Sequence, residues 1–197
     1  MSFPISQFEM LTHPVLVTDT RTADNRLYRN RNRGSKTPYY MFEFSSVELD
    51  YAESRKVSAK INSYQGPLEI FTLPNPMISL KSHSGLSLAS AAQVGDDTVD
   101  IAGGGANITD AFHAGDFIRI AGSAKAYEVA ENANTNSSSV ASVKLTQGVV
   151  QVHASGSAVD YGDDVEFQVC VDSYDAGDIT PAKGLYAVHD LVLIEQL

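Results

Sequence analysis

The residues able to do chemistry are few, and their spacing does not favour it. Cys170 is the single cysteine, so the chain can form no internal disulfide. It lies in the apolar run Phe167–Val171, where a thiol packs as a small hydrophobe and a nucleophile is the less natural reading. Histidines stand at 13, 83, 113, 153 and 189. None makes the H-x-x-x-H spacing that puts two imidazoles on one helix face around a metal. His113 is followed by Gly115-Asp116, which reads as a turn opening a strand. Ser84-Gly85 and Ser87 come nearest to G-x-S, but a nucleophile elbow needs a strand leading in and a helix leading out; a polar linker suits them better. Gly103-Gly104-Gly105 lacks the Gly-Lys-Ser/Thr that cradles phosphate at a helix start, and reads as a wide turn. Asp96-Asp97 and Asp163-Asp164 each sit in a Gly-Asp turn without the loop spacing of a calcium site. The residues therefore offer no catalytic, cofactor or metal set, and the expectation is a protein that is not an enzyme.

Charge is the more informative property. Residues 1–60 hold 9 Lys+Arg against 7 Asp+Glu, a net of +2, while residues 61–197 hold 5 against 17, a net of -12. Arg21, Arg26, Arg29, Arg31, Arg33 and Lys36 crowd into one polar run that reads as a solvated loop or exposed hairpin. Its functional reading is a docking arm for an acidic neighbour, with Arg26, Arg29, Arg31 and Arg33 as oligomer-interface candidates. The rest of this chain is itself acidic. Tight or sequence-specific nucleic-acid binding is not expected, because Lys and Arg supply most of the affinity for phosphates. The N-terminal residues lack a basic start followed by an apolar run, and no stretch approaches the ~20 apolar residues of a membrane span. A cytosolic site of synthesis is the expectation.

These side chains need a frame, and the patterning predicts a mainly β one. Pro14–Val17 is a short strand. Tyr39–Phe44 is another, with Tyr40, Phe42 and Phe44 on one face by the two-residue period. A helix follows over Tyr51–Tyr64, opened by the capping-box pair Asp50 and Glu53. It carries a Val57, Ile61, Tyr64 stripe, and Gly66 and Pro67 are placed to end it. Leu68–Leu73 reads as a strand ending at Pro74-Asn75-Pro76. From Ser79 to Asp164 the composition turns to Ala, Gly, Ser, Val and Asp. Short strands are predicted at Thr98–Ala102, Phe117–Ala121, Ala126–Ala130, Val140–Leu145 and Val149–His153, as in a small closed barrel. Longer apolar strands return at Val165–Val171 and Leu185–Ile194. The expected division is a discontinuous domain, 1–80 plus 165–197, with a barrel inserted at 81–164.

The order of these segments is similar to a known family. YYMFEFSSVELDYAESRKVSAKINSYQGPLEIFTLPNP runs strand, helix, glycine, strand, Pro turn, and resembles the first domain of siphophage distal tail proteins. DAFHAGDFIRIAGSAKAYEVAE resembles the segment where that family's inserted barrel opens a strand with a Gly-Asp turn and reaches a Lys-x-Tyr-x-Val strand. Gly115, Asp116, Phe117, Lys125, Tyr127 and Val129 stand in those places. The resemblance covers most of the chain in segment order, and is weakest in the first 35 residues and in NANTNSSS. It implies a β-sandwich ring domain with one helix, carrying a small OB-like barrel (the oligosaccharide/oligonucleotide-binding type). It further implies a homohexameric ring in the virion tail, assembled in the host bacterial cytoplasm. The partners would be the tail tube protein and the tail hub protein, with a lumen for DNA and no cofactor. The alternative is a module binding host cell-surface glycan. Against it, only Phe112, Phe117, Tyr127 and Tyr161 are aromatic between Ser79 and Asp164, and sugar sites commonly use aromatic faces.

Overall fold

The computed structural model describes residues 6, 8–17, 20–25, 28–33, 37–64, 69–81, 83–175, 179–180, 185–186 and 189–196; of these, the side chains of 20–25, 28–33, 174–175, 179–180, 185–186 and 189–190 are outside the description. The chain is mainly β, with one α-helix among the described residues. It divides into two compact units, Met1–Phe71 with Gln168–Leu197, and Thr72–Phe167.

The first unit holds strands β1 (Phe8–Met10), β2 (Val15–Val17), β5 (Tyr39–Ser46) and β16 (His189–Glu195), most of β13 (Glu166–Asp175), and the first residue of β6 (Phe71–Pro74). Their sheet runs β1-β5-β16-β13-β6, with β2 also on β5. β5 alternates half-buried and buried residues along its whole length, as one face of a sheet against a core requires. Leu191 pairs with Phe44 and Leu193 with Phe42, and all four are buried. Phe42 stacks beside Phe44 at 6.5 Å, and Phe8 meets Phe44 edge-on at the same separation. Two hairpins stand apart from this sheet, β3 (Thr20–Asn25) with β4 (Tyr28–Arg33), and β14 (Ile179–Thr180) with β15 (Leu185–Tyr186).

Helix α1 (Tyr51–Ser63) starts where the sequence places it: the Asp50 carboxylate accepts the Glu53 N–H at 2.8 Å. Val57, Ile61 and Tyr64 are buried, and Tyr64 stacks on Phe71 of β6 at 4.1 Å. The expected stop at Gly66 lies outside the described residues. The strand expected from Leu68 begins at Phe71, because Glu69 and Ile70 are exposed and unpaired in any sheet.

The second unit holds β7 (Leu86–Leu88), β8 (Thr98–Ala102), β9 (Phe117–Ile120), β10 (Ala126–Glu128), β11 (Val140–Lys144) and β12 (Ala158–Tyr161). The sheet order is β10-β9-β12-β7-β8-β11, with every pairing antiparallel. It curls until its edges meet. Val129, just past β10, bridges Leu145, just past β11. The Ala130 N–H donates to the Lys144 carbonyl at 2.8 Å and the Thr146 N–H to the Glu128 carbonyl at 3.0 Å. With the edges joined, β12 lies beside β9 in the run β12-β9-β10-β11, a Greek key.

One expectation changes. Val149–His153 is not a strand. Val149 bonds to Asp96 and His153 to Ala92, but between them the Val150 N–H turns to the Tyr127 hydroxyl at 3.1 Å and the Gln151 side chain to the Gly122 carbonyl at 2.8 Å. Side-chain partners there replace a ladder. The unit boundaries fall at Phe71/Thr72 and Phe167/Gln168. Asn75 and Ser79 bond to Gly162 and Asp163, and Phe167 meets Phe117 edge-on at 5.1 Å, so both flanks belong with the second unit.

Ile61 is 1% exposed, which sets the first prediction. Ile61→Ala should cost ~2–5 kcal/mol in chemical denaturation. A loss under ~0.5 kcal/mol would place the residue on a surface.

Candidate assembly surface

The groups that looked able to do chemistry are mostly engaged in holding turns. The Cys170 thiol is buried, and burial pushes its pKa up; the Gln196 amide, donating to Sγ at 3.0 Å, opposes this only in part. A raised thiol pKa means little thiolate and a poor nucleophile. The Asp96 carboxylate accepts the Gln93 N–H at 2.7 Å, and Asp163 accepts the Ser79 N–H at 3.0 Å. Asp97 lies 3.2 Å from its neighbour Thr98. Gly103, Gly104 and Gly105 all take positive φ, as a wide turn demands. Leu86–Leu88 after Gly85 is a strand, where an elbow would need a helix. No group of three or more His, Cys, Asp or Glu stands together to hold a metal among the described residues.

The histidines are scattered. His13 is exposed, and the side chain of His189 is outside the description. His83 approaches the Ala111 carbonyl through Nε2 at 2.8 Å and lies against Phe112 and Tyr161 at 5.8 and 5.6 Å. It thereby covers a tie that the sequence does not advertise. The Tyr161 hydroxyl donates to Asp116 Oδ2 at 2.5 Å and accepts the His113 N–H at 3.1 Å. Burial, and then Asp116, push the Tyr161 pKa upward, so the phenol keeps its proton and serves as a fixed donor. The Gly115-Asp116 turn is thus fastened to β12, 45 residues away.

The arginines remain. Arg29, Arg31 and Arg33 occupy alternate positions of β4, opposite Asp24, Thr22 and Thr20 of β3. Arg21 stands on β3 opposite Asn32. Arg26 and Lys36 lie outside the described residues. The loop-or-hairpin alternative resolves to a hairpin, and it gathers three of the four interface candidates onto one strand. The second unit contains 4 Lys+Arg and 11 Asp+Glu, a net of -7. Of those cations Lys125 is fully buried, and Arg119 reaches Asp160 at 3.4 Å and Glu166 at 3.8 Å. The arrangement is a basic ribbon in one unit and an acidic surface on the other. Such a pair can support electrostatic recognition between copies. Sequence reasoning missed the exposed aliphatics Ile78 and Leu80, the buried Lys125, and the Asp116–Tyr161 tie. Alternation around Ser79 was the one available signal for the first; none marks the others.

No protein-family model matches the chain, and no curated protein matches it. The structure defines a class only: a two-unit, mainly antiparallel β protein with, among the described residues, one α-helix and a β3–β4 hairpin rich in arginine.

Two predictions concern the second unit. Tyr161→Phe leaves the His113 N–H and the Asp116 carboxylate without this partner, and should cost ~1–3 kcal/mol, measured as a lower denaturant midpoint. His153 is buried, and burial pushes its imidazole pKa below 6.5 against a smaller opposing pull from the Ala121 backbone. The unfolded chain then takes up the proton first as pH falls. Stability held above pH ~6.5 should decline below it, down through the depressed folded-state pKa. Thermal unfolding of His153→Gln across pH 5–8 should show a flatter profile than the parent; an identical slope would remove His153 as the cause.

Proposed function

We propose that this chain is a structural subunit of a bacteriophage tail tip, a non-enzymatic protein forming a ring, hexameric by resemblance. The ring joins the tail tube to the tail hub and leaves a lumen for DNA. The observation that carries the reading is the segregation of charge: alternate arginines on the β3–β4 hairpin, and a net charge of -7 on the second unit. A closed ring brings one surface of each copy against a different surface of the next. The succession β5, α1, β6 supports it as well, since it keeps the strand–helix–strand order that resembles the first domain of distal tail proteins. On this reading the first unit is the sandwich-type ring domain and the curled six-stranded unit is the inserted barrel. The glycan-binding alternative is disfavoured: Phe112, Phe117, Tyr127 and Tyr161 are all buried, so none offers a face to a sugar.

Sedimentation and negative-stain imaging of the full chain test the proposal. The expected result is a closed ring with a central hole. Replacing Arg26, Arg29, Arg31 and Arg33 together by Ser should lower the oligomer mass while leaving the monomer fold intact. Each ion pair at a rim contributes only ~0–1 kcal/mol, so the effect depends on repetition. Assembly of the parent should also weaken as salt shortens the Debye length from ~10 Å at 0.1 M to ~3 Å at 1 M. A parent that is monomeric at every concentration would overturn the proposal.

A further inference from the structure

The second unit carries a strap with no counterpart in the sequence patterning. Asn75 donates its side-chain amide to the Gly162 carbonyl at 3.0 Å and its N–H to the Val165 carbonyl at 2.9 Å. The Ser79 N–H donates to Asp163 Oδ1 at 3.0 Å. The Lys81 ammonium closes the strap on the Thr109 and Asp110 carbonyls. Ser79 is pressed inward: its hydroxyl is buried, and a Cβ on Gly162 would lie 2.6 Å from it. Gly162 also takes φ +64°, a conformation that suits glycine.

Because Ser79 faces the body, its two neighbours are turned away from it. Ile78 is 91% exposed and Leu80 73%. Aliphatic side chains this bare are ordinary when scattered singly, but here two stand two residues apart on a segment fixed by hydrogen bonds. Acids border them. Asp163 accepts from Ser79 itself, Asp164 is exposed, and both sit in the short 3-10 turn Gly162–Asp164. A ledge that is apolar in the middle and anionic at its edge suits a ligand with apolar groups and cations together.

We propose that this ledge seats the β3–β4 hairpin of a second copy of the chain. The inference rests on the ring reading and adds where the basic ribbon docks. The hairpin has matching chemistry in its sequence: Arg21, Arg29, Arg31 and Arg33 along the two strands, with Leu27-Tyr28 beside them in the sequence. Charge complementarity selects this occupant over a second ledge, since two ledges would bring Asp163 and Asp164 against their own kind.

The test uses the full-length chain. Ile78→Ser with Leu80→Ser should raise the apparent dissociation constant by about tenfold or more in analytical ultracentrifugation, with the melting temperature of the monomer unchanged. Mixing Ile78→Cys protein with Leu27→Cys and, separately, with Tyr28→Cys protein under mild oxidation should yield a disulfide-linked species containing one of each. Both are expected. If the arginine-to-serine variant loses assembly while the Ser double variant keeps it and neither mixture cross-links, the ring reading survives and the ledge is not the seat. If the parent itself never associates, both fall.

Discussion

The second unit depends on one constraint: every strand edge must find a partner. Its six strands run only three to five residues each, too short for any pair to stand alone in water. Joining Val129 to Leu145 turns an open sheet with two bare edges into a continuous ladder. It also encloses Leu86, Leu88, Val99, Ile101, Ile118, Ile120, Val143 and Val159, all of them buried. Edge closure and core burial are then the same event. The Tyr161 bond to Asp116 acts alongside, tying the turn before β9 to the strand that lies next to β9. A buried tie of this kind costs little while satisfied and much when half of it is removed.

Local signals in the sequence were readable where one physical cause acted alone. Asp50 capping, the 57–61–64 stripe and the alternation of β5 each follow from the geometry of a single element. β7 and β12 escaped notice because LSL and AVDY are short and weakly apolar; they are strands because β8, β9 and each other supply partners. Val149–His153 misled for the converse reason: its apolar residues suit a strand, yet the Tyr127 hydroxyl takes the N–H that a ladder would use. Asn75 and Ser79 are held in the second unit by side-chain bonds across more than eighty residues of sequence. Nothing local encodes that. Of the candidate surface, the charge contrast was legible from composition; the strap and its ledge required long-range contacts.

Small side chains explain how so acidic a unit holds together. With few aromatics, its core is filled by Ala, Val, Ile and Leu from short strands, leaving the outer positions to Asp, Ser, Asn and Gly. The acid that reaches inward, Asp116, is used at once by Tyr161, and at the surface the Asp96 carboxylate holds its own turn through the Gln93 N–H. Those that remain outside, Asp163 and Asp164 among them, set the sign of the surface. The fold thus separates a structural set of carboxylates from a surface set without recourse to a metal site among the described residues.

On the proposed reading this division has a consequence for both assembly and passage. DNA moving through a lumen should meet surfaces that do not hold phosphate, and exposed arginines hold it well. A ring subunit with Arg21, Arg29, Arg31 and Arg33 on one ribbon would work against passage if that ribbon faced the channel. Seating the ribbon on a neighbour's acids removes the difficulty. The cations would then be neutralised between copies, and an anionic excess would remain on the rest of the surface. The electrostatic attraction that draws subunits together would then be the same one that keeps the channel from binding its cargo.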